Sequence, residues 1–339
     1  MNIPISFFNN KLIAFLEKKD ISLGLANGKM GLCIYFYTLS QIHEDASYKE
    51  TAERLLDEIF DSIDSVNTID VRTGLAGIGL AVDYLIKHNF VKGDVNNILS
   101  DVDDLIFKSL LYIKNSESLD SLSLIHILYY LCIRLRAQKK DSENEYLYKE
   151  LIIKTINDLY KSLPSDFNEE PLSYTVDYIL PQLLFVLCEI YQLDFYNYRL
   201  IKIIEELSYK VLSTFPILHS NRLYLLWAMD KLNKQIKNRD WSKHITLLKK
   251  NIDIEYILNH EVRDKNIYFN DGLTSIYFLA LSIDNYLTEN ELCEIKKQTI
   301  KKIHDSEAWG LLNESSLYFK SYIGLYNGFT GVSLLLNKL

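Results

Sequence analysis

Residues that interrupt helices are scarce in this 339-residue sequence. It contains five prolines and twelve glycines, and ten of those glycines fall in only four places. Folds built from many short strands need frequent turns, and turns rely on glycine and proline. The scarcity therefore predicts long helices and excludes a β-sandwich with many turns.

Paired cysteines and clustered positive charge are also missing. The four cysteines form no Cys-x-x-Cys pair; they are Cys33, Cys132, Cys188 and Cys293. Such scattered cysteines predict reduced, buried thiols in a cytoplasmic protein. The net charge is −8, whereas nucleic acids and anionic membranes bind clustered Lys and Arg. We therefore expect no nucleic-acid partner.

Long hydrophobic runs are absent as well. No stretch approaches the roughly eighteen apolar residues of a membrane span, so we expect no transmembrane segment. The first twenty residues lack the basic start and unbroken apolar core of a signal peptide. Both features agree with a cytoplasmic location.

The glycines mark a repeat. When Gly28, Gly74, Gly272 and Gly328 are aligned, each is followed three positions later by a small residue and then by an apolar run. Small residues at i and i+3 of a first helical turn leave a bare strip that another backbone can approach. Three further apolar segments lack the glycines but keep a spacing close to fifty residues; they are 122–135, 178–191 and 218–232.

Amphipathic segments alternate with the apolar ones. Their apolar residues recur at helical spacing, and they cover about 5–18, 46–62, 94–114, 142–162, 196–213, 240–258 and 288–304. Seven helices with one solvent-exposed face alternate with seven buried helices, which predicts an all-α fold, an α/α toroid of seven inner and seven outer helices. We expect one domain, residues 1–339. An open solenoid is the alternative, but it would show polar capping repeats at both ends.

Three glycine segments carry a family resemblance: GLANGKMG (24–31), TGLAGIGLA (73–81) and GLYNGFTGV (324–332). They resemble the inner-helix repeats of lanthionine synthetase C-like proteins, the cyclases of lantibiotic maturation. The resemblance covers the whole chain in period and order. It implies the toroid fold and, in active members, a zinc ion that makes a peptide cysteine a thiolate nucleophile. That thiolate adds to a dehydrated serine or threonine.

The sequence departs from the family where the chemistry lies. The family's Trp-Cys-x-Gly motif corresponds to His-Ser-Asn-Arg at 219–222, and its Cys-His-Gly motif to Asn-Asp-Gly at 270–272. The proposed acid/base histidine of its His-Gly-x-Pro-Gly segment corresponds to Tyr178. The resemblance therefore implies no zinc, no other cofactor and no confident catalytic residue. It implies a pseudo-cyclase that binds a precursor peptide or a peptide-maturation enzyme.

An enzyme with altered chemistry is the alternative. Asp271 and His219 offer ligands for a harder, oxygen-preferring metal ion, and Asp177 with Asp271 offers a carboxylate pair for acid/base hydrolysis. Tyr178 completes the weak catalytic candidates. The N-cap of the next helix is the favoured role for Asp271, and His219 equally fits a structural role. Metal ligands from Cys188 or Cys293 would require a different alignment.

A cavity mouth is the predicted binding region. In a toroid the N-termini of the inner helices, with free N–H groups, surround one mouth, which suits carboxylates or acidic peptides. The predicted binding residues are His219, Arg222, Tyr268, Asn270, Asp271 and Tyr326. Tyrosines also cluster near these helix starts, which suits peptide binding but equally follows from a tyrosine-rich composition. They are Tyr174, Tyr178, Tyr268, Tyr318, Tyr322 and Tyr326.

Overall fold

The structure is a computed structural model that describes residues 5–17, 21–112, 119–314 and 316–338. These residues form helices and loops, with no β-strand among them. In chain order the helices are α1 (Ile5–Leu16), α2 (Lys29–His43), α3 (Ala46–Ser62), α4 (Leu75–Lys87), α5 (Val95–Ile98), α6 (Ser100–Tyr112), α7 (Ser121–Arg136), α8 (Glu143–Ser162), α9 (Ile179–Tyr191), α10 (Asn197–Ser213), α11 (His219–Ile236), α12 (Arg239–Lys250), α13 (Ile254–Tyr256), α14 (Leu273–Ser282), α15 (Glu289–Asp305), α16 (Ala308–Glu314), α17 (Ser316–Ser321) and α18 (Phe329–Lys338). The all-α fold class is confirmed.

The predicted alternation of apolar and amphipathic helices is present in the described residues. The apolar segments form α2, α4, α7, α9, α11, α14 and α18. The amphipathic segments form α1, α3, α6, α8, α10, α12 and α15. None of the helices in the described ranges has the length and hydropathy needed to cross a bilayer.

Several amphipathic helices begin at side-chain caps. The Asp45 carboxylate accepts the Ser47 N–H at 2.9 Å at the start of α3. Before α15, Thr288 and Glu291 form two reciprocal hydrogen bonds. The Thr288 N–H donates to Oε2 of Glu291 at 2.8 Å, and the Glu291 N–H donates to Oγ1 of Thr288 at 3.3 Å. This reciprocal arrangement is a capping box, which satisfies N–H groups that have no partner within the helix.

The glycine-marked helices share a backbone bond at their first residue, and α2, α4 and α14 begin without side-chain caps. In each, the N–H of the first helical residue donates to a carbonyl seven residues earlier. The pairs are Lys29 to Ser22 (2.8 Å), Leu75 to Thr68 (2.9 Å), Leu273 to Asn266 (3.0 Å) and Phe329 to Tyr322 (2.8 Å). The prediction that Asp271 caps the next helix is wrong, because Gly272 is the N-cap of α14 and no side chain caps that end.

The glycines leave room for these returning loops. A β-carbon on Gly28 would overlap the carbonyl oxygen of Ser22, and one on Gly31 would overlap that of Leu25. The same relation, six residues back, recurs at Gly74, Gly77, Gly328 and Gly331. The predicted bare strip is confirmed, but the backbone that fills it belongs to the loop leading into the same helix.

Some boundaries differ from the sequence prediction. The helix predicted over 240–258 ends at Lys250, and a π-helical turn, Ile257–Glu261, follows α13. A new helix, α13, begins after Asp253, because the Asp253 carboxylate caps it by accepting the Tyr256 N–H at 2.9 Å. The short helices α16 and α17 have no counterpart in the repeat pattern.

Contacts divide the chain into two compact units. The first comprises Met1–Ile113, Ile267–Phe269 and Ile300–Leu339. Within it α2 packs against α3, α4 and α18, and the Tyr326 N–H donates to the carbonyl of Ala26 at 2.9 Å. The last repeat therefore contacts the first within this unit.

The second unit comprises Lys114–Asn266 and Asn270–Thr299. Within it the apolar helices pack in chain order, α7 against α9, α9 against α11, and α11 against α14. The amphipathic helices α8 and α12 pack on α7 and α11. That residues 1–339 form one domain stays a prediction.

Candidate functional site

The start of α11 is where the family resemblance places a metal-ligand motif. Here the Glu261 carboxylate accepts the His219 N–H at 2.7 Å, the Ser220 N–H at 2.8 Å and the Ser220 hydroxyl at 2.7 Å. Glu261 ends the π-helical turn that follows α13. This carboxylate therefore joins two elements of the second unit.

A second carboxylate, that of Glu170, accepts hydrogen bonds from the residues just before the helix. Glu170 Oε1 accepts the Ile217 N–H at 2.7 Å, and Oε2 accepts the Leu218 N–H at 3.4 Å. The buried Asn221 amide adds a donor to Glu170 Oε2 at 3.4 Å. The prediction of free N–H groups is therefore wrong at α11, because internal carboxylates take four consecutive amides.

His219 and Arg222, both predicted binding residues, support this region. The Asp253 N–H donates to Nδ1 of His219 at 2.9 Å, and the ring centroids of His219 and Tyr256 lie 5.0 Å apart. The Arg222 guanidinium donates to three backbone carbonyls. They are those of Pro216 (2.5 Å), Asn251 (2.8 Å) and Ile217 (2.9 Å). Each side chain thus ties the start of α11 to its neighbours.

Asn270 and Asp271 lie beside the loop before α9. The Val176 N–H donates to the carbonyl of Asn270 at 2.8 Å, and the Thr175 hydroxyl donates to its side-chain oxygen at 3.2 Å. These bonds bring the segments of Asp177 and Asp271 next to each other. Burial raises the pKa of Asp271 above that of a free carboxyl. The Asn266 side-chain amide donates to Oδ2 of Asp271 in a long hydrogen bond of 3.4 Å.

Tyr178 and Tyr268 are core residues. Tyr178 is 2% exposed and its hydroxyl donates to the carbonyl of Asn168 at 2.9 Å, while burial raises its pKa. Tyr268 is 5% exposed, and its hydroxyl lies 2.6 Å from that of Tyr318. A catalytic role for Tyr178 and a ligand-facing role for Tyr268 are therefore not supported, because both side chains are committed to packing.

Tyr326, in the first unit, is half-buried. A guanidinium nitrogen of Arg72 donates to its hydroxyl at 3.3 Å, and the guanidinium carbon lies 4.9 Å from its ring centroid. Tyr318 and Tyr322 are also half-buried, and their ring centroids lie 4.4 Å apart. Tyr174 is 4% exposed and donates to the Ser275 hydroxyl at 3.0 Å.

Sequence reasoning missed a row of half-exposed aromatic rings in the second unit. It consists of Tyr129 on α7, Phe185 on α9 and Trp227 on α11. Ring centroids are 5.7 Å apart between Tyr129 and Phe185, and 5.0 Å between Phe185 and Trp227. We call these three residues the aromatic row. On α14, Phe278 and Leu281 are 54% and 46% exposed. Each ring lies in an apolar run of its helix, so periodicity gave no sign of exposure.

Polar pairs flank the aromatic row on α7 and α9. One turn earlier, Nε2 of His126 donates to Oε1 of Gln182 at 2.6 Å. Towards the helix C-termini, Arg136 and Glu189 form an ion pair at 2.7 Å. These polar groups are paired with one another, so the rings are the part of this face that offers apolar surface.

The donors at the predicted metal position do not fit zinc. A zinc site with an open position needs three ligands of the His, Cys or carboxylate type, but Ser220 stands next to His219 and its hydroxyl is bonded to Glu261. Across the described residues, no three His, Cys, Asp or Glu side chains come together as a metal site. That the protein uses no zinc stays a prediction.

The cysteines are apart from this region. Cys33, Cys132 and Cys188 are buried, and burial raises the pKa of each thiol, that of Cys188 to about 11. Cys293 is exposed on α15, which corrects the prediction that all four are buried. An amphipathic helix presents part of its surface to solvent, and Cys293 lies there.

Comparison with known proteins identifies the fold. No protein-family model and no curated protein matches the sequence. Among solved structures, the chain matches an all-helical cyclase, so its fold is of the lanthionine-cyclase type. The matching structure is nisin cyclase, with a TM-score of 0.67 and 13% sequence identity over 98% of this chain and 93% of that chain. The TM-score shows a shared fold, and at this low identity the comparison shows the fold alone.

Proposed function

We propose that this chain is a zinc-less relative of the lanthionine cyclases that binds a precursor peptide, or a peptide-maturation enzyme, without catalysing thiol addition. The observation that carries the proposal is the cyclase fold combined with internal carboxylates at the start of α11. Thiol activation by zinc needs soft or imidazole ligands with one open position. His219 and Ser220 supply no such set, because both are held by neighbouring segments.

The aromatic row supports the binding part of the proposal. Half-exposed Tyr, Phe and Trp rings supply large contact area at low cost in side-chain entropy, and such rings are enriched where peptides bind. Lys231 Nζ lies 5.4 Å from the centroid of the Trp227 ring. An apolar peptide side chain placed on the row would remove ring surface from water, at about 25 cal/mol per Å².

Metal analysis of the purified protein tests the absence of zinc chemistry. We expect well under one equivalent of zinc per chain after dialysis, and no rise in Tm when zinc is added. One tightly held equivalent would overturn the proposal.

Fluorescence tests the binding role. Trp227 is half-exposed, whereas Trp241 and Trp309 are buried. A linear peptide carrying cysteine and dehydroalanine should therefore change the emission of the protein through Trp227, and the variant Trp227→Phe should lose that change. The peptide thiol should disappear no faster with protein than without it. Faster loss would show a working cyclase.

A second candidate function is acid/base hydrolysis. It is favoured by the raised pKa of Asp271 and by the Val176–Asn270 backbone bond, which brings the Asp177 segment beside it, since acid/base hydrolysis uses a pair of carboxyl groups. If Asp271→Asn and Asp177→Asn leave every activity of the protein unchanged, this candidate fails.

A further inference from the structure

The N-terminus of an α-helix has N–H groups with no partner inside the helix, and its dipole favours negative charge. At α11 the four amides of residues 217–220 all donate to carboxylates of the same chain, two to Glu170 and two to Glu261. We infer that Glu170 and Glu261 are internal ligands of this helix start, and that they exclude external anions from it. We call the pair the carboxylate clamp.

The two carboxylates come from different segments. Glu170 belongs to the loop before α9, and Glu261 to the turn after α13, so the clamp fixes both segments on α11. Asn221, which is fully buried, adds a donor to Glu170 and a weaker one to the carbonyl of Pro171 at 3.5 Å. Hydrogen bonds that involve a charged acceptor are about twice as strong as neutral ones.

The turn after α13 is held to α11 by a second, independent contact. Asp253 caps α13 through the Tyr256 N–H, and its own N–H donates to the His219 ring, on which Tyr256 also packs. Removing Glu261 alone therefore leaves the turn attached at its other end. The effect of a Glu261 variant should be local to the helix start.

The clamp gives Glu170 and Glu261 a role in specificity, the exclusion of external carboxylates, although neither residue belongs to a sequence motif. A ligand that carries a carboxylate finds the start of α11 occupied, in contrast to the expectation of an open anion site there. The clamp does not depend on whether the chain binds a peptide.

Amide hydrogen exchange measured residue by residue tests the clamp in the full chain. The variant Glu261→Gln should speed exchange at residues 219 and 220 by about 10- to 100-fold, because a neutral amide cannot accept all three bonds. Glu170→Gln should do the same at residues 217 and 218. The exposed neighbours Glu169 and Glu255 supply matched controls, and Glu169→Gln and Glu255→Gln should leave all four amides unchanged.

Chemical rescue supplies a second readout. In Glu261→Ala the freed N–H groups should donate to an external carboxylate, so acetate should slow exchange at residues 219 and 220 and raise the Tm more than it does in the wild type. Should Glu261→Ala fail to fold, the separate exchange patterns of the two Gln variants decide the matter. Equal acceleration along the whole of α11, or no acceleration, would overturn the clamp. Zinc content decides the proposed function separately.

Discussion

Ala26 and Tyr326 lie in the first and last repeats, and a backbone hydrogen bond of 2.9 Å joins them. The Asn27 side chain adds a bond from the Asn327 N–H at 3.1 Å. A β-carbon on Gly324 would lie 2.6 Å from the Cα atom of Asn27. The loops before α2 and α18 therefore fit together only because residue 324 has no side chain.

The variant Gly324→Ala tests this close approach. We expect a loss of about 1–3 kcal/mol in the free energy of unfolding, since the added methyl forces the two backbones apart. Denaturant melts of the variant and the wild type measure it.

Gly310 is the matched control for that variant. It lies within α16, and a β-carbon there would meet nothing within 4 Å. Gly310→Ala should therefore stabilise the protein by about 0.5–1 kcal/mol, because alanine is the better helix former. Equal effects of the two substitutions would contradict the packing described between residues 27 and 324.

Asp271 makes stability depend on pH in a defined direction. Burial raises its pKa in the folded state, so the folded protein favours the neutral carboxyl. The stability that the neutral form contributes is complete below the unfolded-state pKa, and it is lost as pH rises through the folded-state pKa.

Asp271→Asn should therefore stabilise the protein at pH 7, by a few tenths to about 1 kcal/mol given the screening of a half-exposed group. The gain should vanish near pH 3, where both states hold a neutral carboxyl. Thermal melts at the two pH values measure the difference. A variant that is less stable than the wild type at pH 7 would show that the Asp271 carboxylate has a stabilising partner.

Thiol reactivity should separate Cys293 from the other cysteines. It is exposed, whereas burial raises the pKa values of the other thiols, and the thiolate is the reactive form. We expect a disulfide reagent at pH 8 to modify one thiol per native chain rapidly and all four after unfolding. Cys293→Ser should abolish the rapid phase; a second rapid thiol would contradict the burial of Cys33, Cys132 or Cys188.

The hydroxyls of Tyr268 and Tyr318 should be energetically coupled, because they lie 2.6 Å apart. Burial also raises the pKa of Tyr318. Tyr268→Phe and Tyr318→Phe should each cost about 1–2 kcal/mol of stability, and the double variant less than their sum, since replacing both partners removes the unmet hydrogen bond. A double-mutant cycle measures this; strict additivity would show that the two hydroxyls are independent.

Much of the fold was predictable from local pattern. The small residues that follow Gly28 and Gly74 at i+3 marked helix starts correctly, because a returning loop leaves no room for a β-carbon there. The boundary at Lys250 was not predictable from periodicity. The apolar spacing continues past it, and the break depends on Asp253 capping a new helix.

The candidate site was less predictable, because it depends on which side chains meet. Nothing in the sequence around Glu170 or Glu261 distinguishes them from solvated acids. Their partners lie about 40–50 positions away in the chain. Trp227 likewise sits in an apolar helix, and only its neighbours decide how much of its ring meets solvent.

The sequence by itself determined the helical class and the alternation of apolar with amphipathic helices. These properties follow from residue type and spacing along one helix at a time. Tertiary structure alone decided that Tyr178 and Tyr268 are packed inside, that the start of α11 is closed by Glu170 and Glu261, and that an aromatic row is left half-exposed. Burial and hydrogen-bond partners are set by contacts between helices distant in the chain, and helical periodicity carries no information about them.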